Sequence, residues 1–138
     1  MRKIFLILLL LPLASFSQNR IYHFEPEVVE IIGTLEIQTF AGPPNYENIS
    51  QGDRIEKGWY LRLNEAITVE ESKNDVDPNA ETEKNVRIMQ LAIGNDGIWK
   101  KLVIGKKIKA KGHFYHKLTG HHHSRILLWV DEVAAVIE

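Results

Sequence analysis

The sequence predicts an all-β domain with one short helix, and three observations carry that prediction. Five separate runs read as strands, with clean alternation of apolar residues in Trp59–Leu63 and Lys106–Phe114. One short stretch with helical spacing falls between the third and fourth runs, which is the plan of a five-stranded OB-fold barrel. Gly33 and Gly112 stand inside strands, where strongly coiled strands of a closed barrel need relief from side chains. A five-stranded sheet packed on one helix without closure is the competing plan, and the glycines favour closure.

The first strand is Val28–Phe40, with Ile31, Gly33, Leu35, Ile37 and Thr39 on one side and Ile32, Thr34, Glu36, Gln38 and Phe40 on the other. It stops at Gly42-Pro43-Pro44-Asn45, which cannot continue a ladder, and a polar loop runs on to Gly58. Trp59–Leu63 alternates cleanly and continues through Ala66–Val69 after an interruption at Asn64-Glu65. Glu70–Lys84 has no apolar anchor and reads as a hairpin loop. Val86–Ile93 is the third strand, in which Met89, Leu91 and Ile93 compete with Val86 and Ile88 for the inside.

Asp96 is placed to cap a helix over Ile98–Val103, and Gly105 to end it. Lys106–Phe114 resumes alternation with Ile108, Ala110, Gly112 and Phe114 inward. Its Lys107, Lys109 and Lys111 then face water, as on an edge strand that lysine protects from aggregation. A loop over Lys117–Ser124 leads to the last strand, Ile126–Val136. Trp59, Trp99 and Trp129 sit on separate elements and read as core or rim packing.

The start of the chain has the three parts of an export signal: Arg2 and Lys3, then the apolar run Ile4–Leu11, then Pro12–Ser17 with small residues at Ser15 and Ser17. Residues 1–17 are expected to be removed before Gln18, leaving residues 18–138 as one domain in the periplasm or outside the cell. The apolar run is too short for a span of roughly 20 residues, so no membrane insertion is expected after cleavage. The chain has no cysteine, hence no disulfide and no lipid anchor through a processed cysteine. Losing Arg2 and Lys3 leaves 15 basic against 18 acidic residues, a balance with no general attraction for nucleic acid. The mature chain is expected to be a monomer.

Two loops stand out chemically. Pro43–Asp53 holds two prolines and Tyr46, a flat amphipathic ring, with Pro44, Asn45, Glu47 and Asp53 around it. Lys117–Ser124 holds Thr119 and the run His121-His122-His123. In an OB barrel these two connections flank one binding surface, so Pro44, Asn45, Tyr46, Glu47, Asp53, Thr119, His121, His122 and His123 are the candidate ligand contacts. The run also invites a zinc or copper site. In extended chain His121 and His123 point to one side and His122 to the other, with His116 or His113 as a third ligand and Glu47 or Asp53 as a fourth. A polar loop with one structural histidine is the plainer alternative, and no resident cofactor is expected.

Residues 75–83 alternate oxygen donors but have Ala80 and Val86 where a calcium loop needs glycine and glutamate, so they read as a solvated loop. No nucleophile elbow, phosphate loop or His-Glu-x-x-His motif is present, and hydrolysis is the most distant of the alternatives.

In order along the chain, Gly33-Thr34-Leu35, Gly42-Pro43-Pro44-Asn45-Tyr46-Glu47, Gly52-Asp53, Trp59–Leu63, Gln90-Leu91, the segment Gly105–Gly112 and Thr119-Gly120-His121-His122-His123-Ser124 together resemble a bacterial domain of unknown function, family number 4431. The likeness runs from about Val28 to Val133. It implies a small exported domain, in some members joined to modules similar to lysozyme-inhibitor-like proteins, with no activity attached to the domain. The chain departs from the family at Ala66-Ile67-Thr68-Val69, where proline and cysteine are usual, and at Ser124, where threonine is usual. The expected function is therefore a non-enzymatic binding module of the periplasm or envelope, recognising a glycan, a peptide or an envelope protein through loops 43–53 and 117–124.

Overall fold

The computed structural model describes residues 19–72 and 81–137. The export segment and most of the calcium-like stretch lie outside the described residues. Among these residues six strands, one 3-10 turn and one short α-helix follow in order: β1 (Arg20–His23), β2 (Val29–Ala41), the 3-10 turn Ile49–Gln51, β3 (Ile55–Glu70), β4 (Glu83–Ile93), α1 (Asp96–Trp99), β5 (Lys107–His116) and β6 (Ile126–Ala135). The sheet order is β1-β3-β2-β5-β6-β4, and β3 also pairs with β4. Strands β2 to β6 thus close into a five-stranded barrel, as the sequence predicts.

Closure depends on β2 changing partners. Its first half, Val29–Thr34, is antiparallel to β5, and its second half, Thr34–Ala41, is antiparallel to β3. Gly33 sits at this change: a Cβ there would fall 2.6 Å from the Arg62 carbonyl oxygen, so only glycine lets the strands approach. Gly112 does the same at the register shift between β5 and β6, where a Cβ would fall 1.7 Å from the Trp129 carbonyl oxygen. Parallel pairing of Gln90–Ile93 with Leu127–Val130 completes the ring.

The core is the inner face of this ring, with Leu35, Leu61, Met89, Phe114, Leu128 and Val130 fully buried. Each such side chain contributes about 1.5–3 kcal/mol relative to exposure. On β4 both competing sets go inside, Val86 and then Met89 and Leu91. The register against β3 shifts between Arg62 and Ile67, and the extra residues around Asn64-Glu65 reset the facing. The interruption expected there is a bulge in one continuous strand.

Four expectations need correction. Strand β3 begins at Ile55, not Trp59, because Ile55–Gly58 pair with Ala41–Gln38 although only Ile55 among them carries a strand signal. Helix α1 spans four residues; Asn95, not Asp96, caps it through a 2.8 Å bond from the Gly97 N–H, and Val103 is exposed. Gly105 is not its C-cap. At φ +79° it turns the chain into β5, and its N–H donates to the Leu35 carbonyl at 2.8 Å. Strand β5 is interior, not an edge, and its lysines face acids on neighbouring strands: Lys109 lies 3.7 Å from Glu30 and Lys111 3.2 Å from Glu132.

Strand β1 has no counterpart in the sequence reading. It lies parallel to Ile67–Glu70 of β3, along the stretch of β3 that β2 does not reach. The Phe24 N–H then donates to the Glu70 carbonyl and the Glu25 N–H to the Phe114 carbonyl. This strap ties β3 to β5 and buries Phe24 to 1 % exposure.

Candidate functional site

The loop from Gly42 to Arg54 is organised around one carboxylate. Asp53, buried, accepts backbone N–H bonds from Asn45 (2.9 Å), Glu47 (2.8 Å) and Asn48 (2.9 Å). These bonds, that of Asn48 foremost, hold its carboxyl below the usual aspartate range. Gly42 and Arg54 close the base, Gly42 N–H donating to Arg54 and Arg54 N–H to Pro43. Tyr46 is carried at φ +60°, a left-handed conformation uncommon for a tyrosine. It costs on the order of 1–2 kcal/mol, and the Asp53 bonds on either side of Tyr46 offset it.

The loop from Lys117 to Arg125 is held from outside. Gln90 on β4 grips its backbone, donating from Nε2 to the His121 carbonyl (3.0 Å) and accepting the His123 N–H at Oε1 (2.7 Å). Glu56 on β3 accepts from both outer histidines: His121 Nδ1 at 2.6 Å and His123 Nε2 at 3.3 Å. Burial pushes the Glu56 carboxyl upward, but hydrogen bonds from His121 and His123 outweigh it, so Glu56 titrates below its ordinary value. Stacking adds to this grip. The His123 ring lies on Phe40 with centroids 4.1 Å apart and planes within 2°.

Under this loop Tyr60 and Leu127 are buried apart from the barrel core. Tyr60 donates to Gln90 Oε1 at 3.4 Å, and burial pushes its hydroxyl up to about 12. His122 points the other way from its neighbours, as alternation requires. Its Nδ1 accepts from the Leu118 N–H at 3.0 Å, which leaves the proton on Nε2. Burial first, then the charges of His121, Lys117 and His123, lower its pKa, so the ring stays neutral near pH 7.

The two loops meet. Tyr46 Oη lies 3.2 Å from His121 Nε2, the rings are edge-on at 5.3 Å, and the Tyr46 ring rests on Gly120, where a Cβ would come within 3.2 Å of it. In the tautomer that gives Nδ1–H to Glu56, His121 Nε2 accepts from the Tyr46 hydroxyl. Tyr46, His121 and Glu56 therefore form one partly exposed polar chain.

Of the residues expected at the site, Tyr46, His121 and His123 come together here. Asp53 is an internal brace, and Pro44, Asn45, Glu47 and Thr119 lie exposed on the two loops, the Thr119 carbonyl accepting the His122 N–H. His116 is not with them: its ring packs on Phe24 and its Nε2 faces the Glu81 carbonyl at 3.4 Å. His113 lies against Glu25 and Trp129. His121 and His123 converge on Glu56 rather than on a third histidine, and among the described residues no three histidine, aspartate or glutamate side chains are grouped to hold a metal ion. The expected metal set is thus not assembled.

Three contributors were missed: Glu56, Gln90 and Phe40. Gln90 stood in the family-like Gln90-Leu91 piece, whose match is generic. Glu56 and Phe40 gave no signal, because their role depends on the register between β2 and β3.

Two grooves flank the His121–His123 segment. One, of about 290 Å³, runs between Asn85–Ile88 of β4 and His123–Ile126, floored by Gln38 and Tyr60. The other, of about 260 Å³, lies toward α1 and is lined by Glu56, Lys57, Trp59, Trp99, His122 and Leu127. Trp59 and Trp99 pack together at 5.5 Å, a pairing not expected from the sequence.

No curated protein and no solved structure matches the chain. One family model does, over residues 88–134, a stretch from mid-β4 to late β6 that contains Gln90 and the whole histidine loop. The match supports the family that the motifs resemble but stops short of loop 43–53. The model that matches residues 88–134 is that of a domain of unknown function, DUF4431, and over this stretch the chain is similar to that family.

Proposed function

We propose that the mature chain works outside the cytoplasm as a non-enzymatic binding module, with its recognition surface at the barrel end where loops 43–53 and 117–124 meet. One observation carries the reading. Two loops far apart in sequence are fixed to each other through Tyr46, His121 and Glu56, yet leave these groups at the surface. A loop that served packing alone has no need of a strained tyrosine or of two histidines gathered on one carboxylate. Rigid, partly exposed aromatic and polar groups of this kind lose little entropy on binding. Export rests on the sequence pattern of residues 1–17.

The test uses residues 18–138, immobilised and exposed to a cell-envelope extract. The wild-type chain is expected to retain a component that Tyr46→Ala and His122→Ala retain at least about tenfold less, a loss of about 1.4 kcal/mol, while circular dichroism stays unchanged. Equal retention by wild type and both folded variants would refute the reading. N-terminal sequencing of the exported product should begin at Gln18; an intact Met1 in the exported protein would remove the export claim.

A further inference from the structure

The two grooves beside His121–His123 differ in what they leave unpaired. In the larger one the charged groups already have partners, Arg125 with Glu83 at 3.1 Å and Arg87 with the Asn64 carbonyl at 3.2 Å. In the groove toward α1, the Lys57 ammonium and His122 Nε2–H have no partner among the described residues. Beside them stand the paired rings of Trp59 and Trp99, tilted 44° to one another, and the Glu56 carboxylate. The groove combines flat aromatic surface, two hydrogen donors and one acceptor in a shallow opening.

We propose that this groove binds a saccharide, a sugar ring lying on the Trp59–Trp99 surface with its hydroxyls bonded at the edge by Lys57, His122 and Glu56. This rests on the reading of the barrel end as a recognition surface and names its ligand class. A sugar ring offers apolar C–H groups on its faces and hydroxyls around its rim, which can both donate and accept. That pattern matches aromatic faces bordered by donors and an acceptor. A purely apolar ligand would strip water from Lys57 and Glu56 without replacement bonds, at a cost the stacking does not offset. Nucleic acid would bring phosphates toward Glu56 on a chain of negative net charge.

Chitotriose, cellotriose and trigalacturonate are the probes, titrated into residues 18–138 with tryptophan emission and NMR shifts as readouts. At least one should saturate with a dissociation constant on the order of 1 mM or tighter and shift the emission. Lys57→Ala, a change at an exposed side chain, and Trp99→Leu should each weaken it about tenfold, whereas Lys109→Ala on β5 should not. Absence of binding by all three sugars, or binding unchanged in both groove variants, overturns the proposal. If the sugars fail while envelope retention still depends on Tyr46, the ligand class is wrong and the broader reading stands. If retention fails but sugar binding follows Lys57, the reverse holds.

Discussion

Loops 43–53 and 117–124 meet at Tyr46 and His121, yet they are ordered in opposite ways. The first is internally braced: Asp53 gathers three N–H groups from within eight residues, and the base closes on itself through Gly42, Pro43 and Arg54. The second has few bonds of its own and borrows its shape from Gln90, Glu56 and Phe40 on three barrel strands. A self-braced loop keeps its form whatever the barrel does. A borrowed loop reports on the strands beneath it, and a ligand that displaces one strand side chain can move it.

The contrast can be broken at its centre. Asp53→Ala removes the acceptor of three backbone N–H groups and leaves Tyr46 in a strained conformation with nothing to hold it. We expect loop 43–53 to lose its order and Tm to fall by about 5 °C or more, measured by calorimetry and NMR, while loop 117–124 keeps its Gln90 bonds. The same brace should respond to acid. Because the folded Asp53 carboxyl titrates below its unfolded value, its contribution is complete above the ordinary aspartate range and is lost as pH falls through the lowered folded value. A loop unmoved by Asp53→Ala would show that the brace is not what orders it.

Gln90→Leu addresses the other loop. It removes two bonds to the loop backbone without opening the barrel, at a cost of about 1–3 kcal/mol. Hydrogen exchange should accelerate at His123 and leave loop 43–53 protected. Acceleration in both loops to the same degree would mean that they order as one unit. Tyr46→Phe sharpens the comparison most gently, since it deletes only the partly exposed bond to His121. Its stability effect should stay within about 0.5 kcal/mol, but the His121 ring resonances should shift because Nε2 loses its donor. Unchanged His121 resonances would show that the contact is not formed in solution.

Much of the barrel was legible because strand alternation needs only local sequence. The inward sets on β2 and β5, and the need for glycine at 33 and 112, follow from period and size alone. The interruption at Asn64-Glu65 was legible, but that both Val86 and Met89 turn inward was not, because it is a property of two strands together. The same divide runs through the candidate site. Tyr46 and the histidines drew attention by composition. Glu56, Gln90 and Phe40 are ordinary strand residues until the register sets them under the histidine loop. Lys107, Lys109 and Lys111 suggested an edge because solvent exposure reads the same on an interior strand of a barrel, whose outer face is wet everywhere.

The strap that ends in Phe24 separates two boundaries that are easily confused. The motif resemblance starts near Val28 and the family model matches only residues 88–134, so similarity marks out one segment. Folding marks out another, because the gap between β3 and β5 is filled only when residues 20–25 are present. A version of this domain cut where the likeness starts would expose the Phe114 ring and an unpaired stretch of β3, and so gain a sticky edge. The unit to preserve when the domain is moved, fused or compared is set by what closes the barrel, not by what its relatives share.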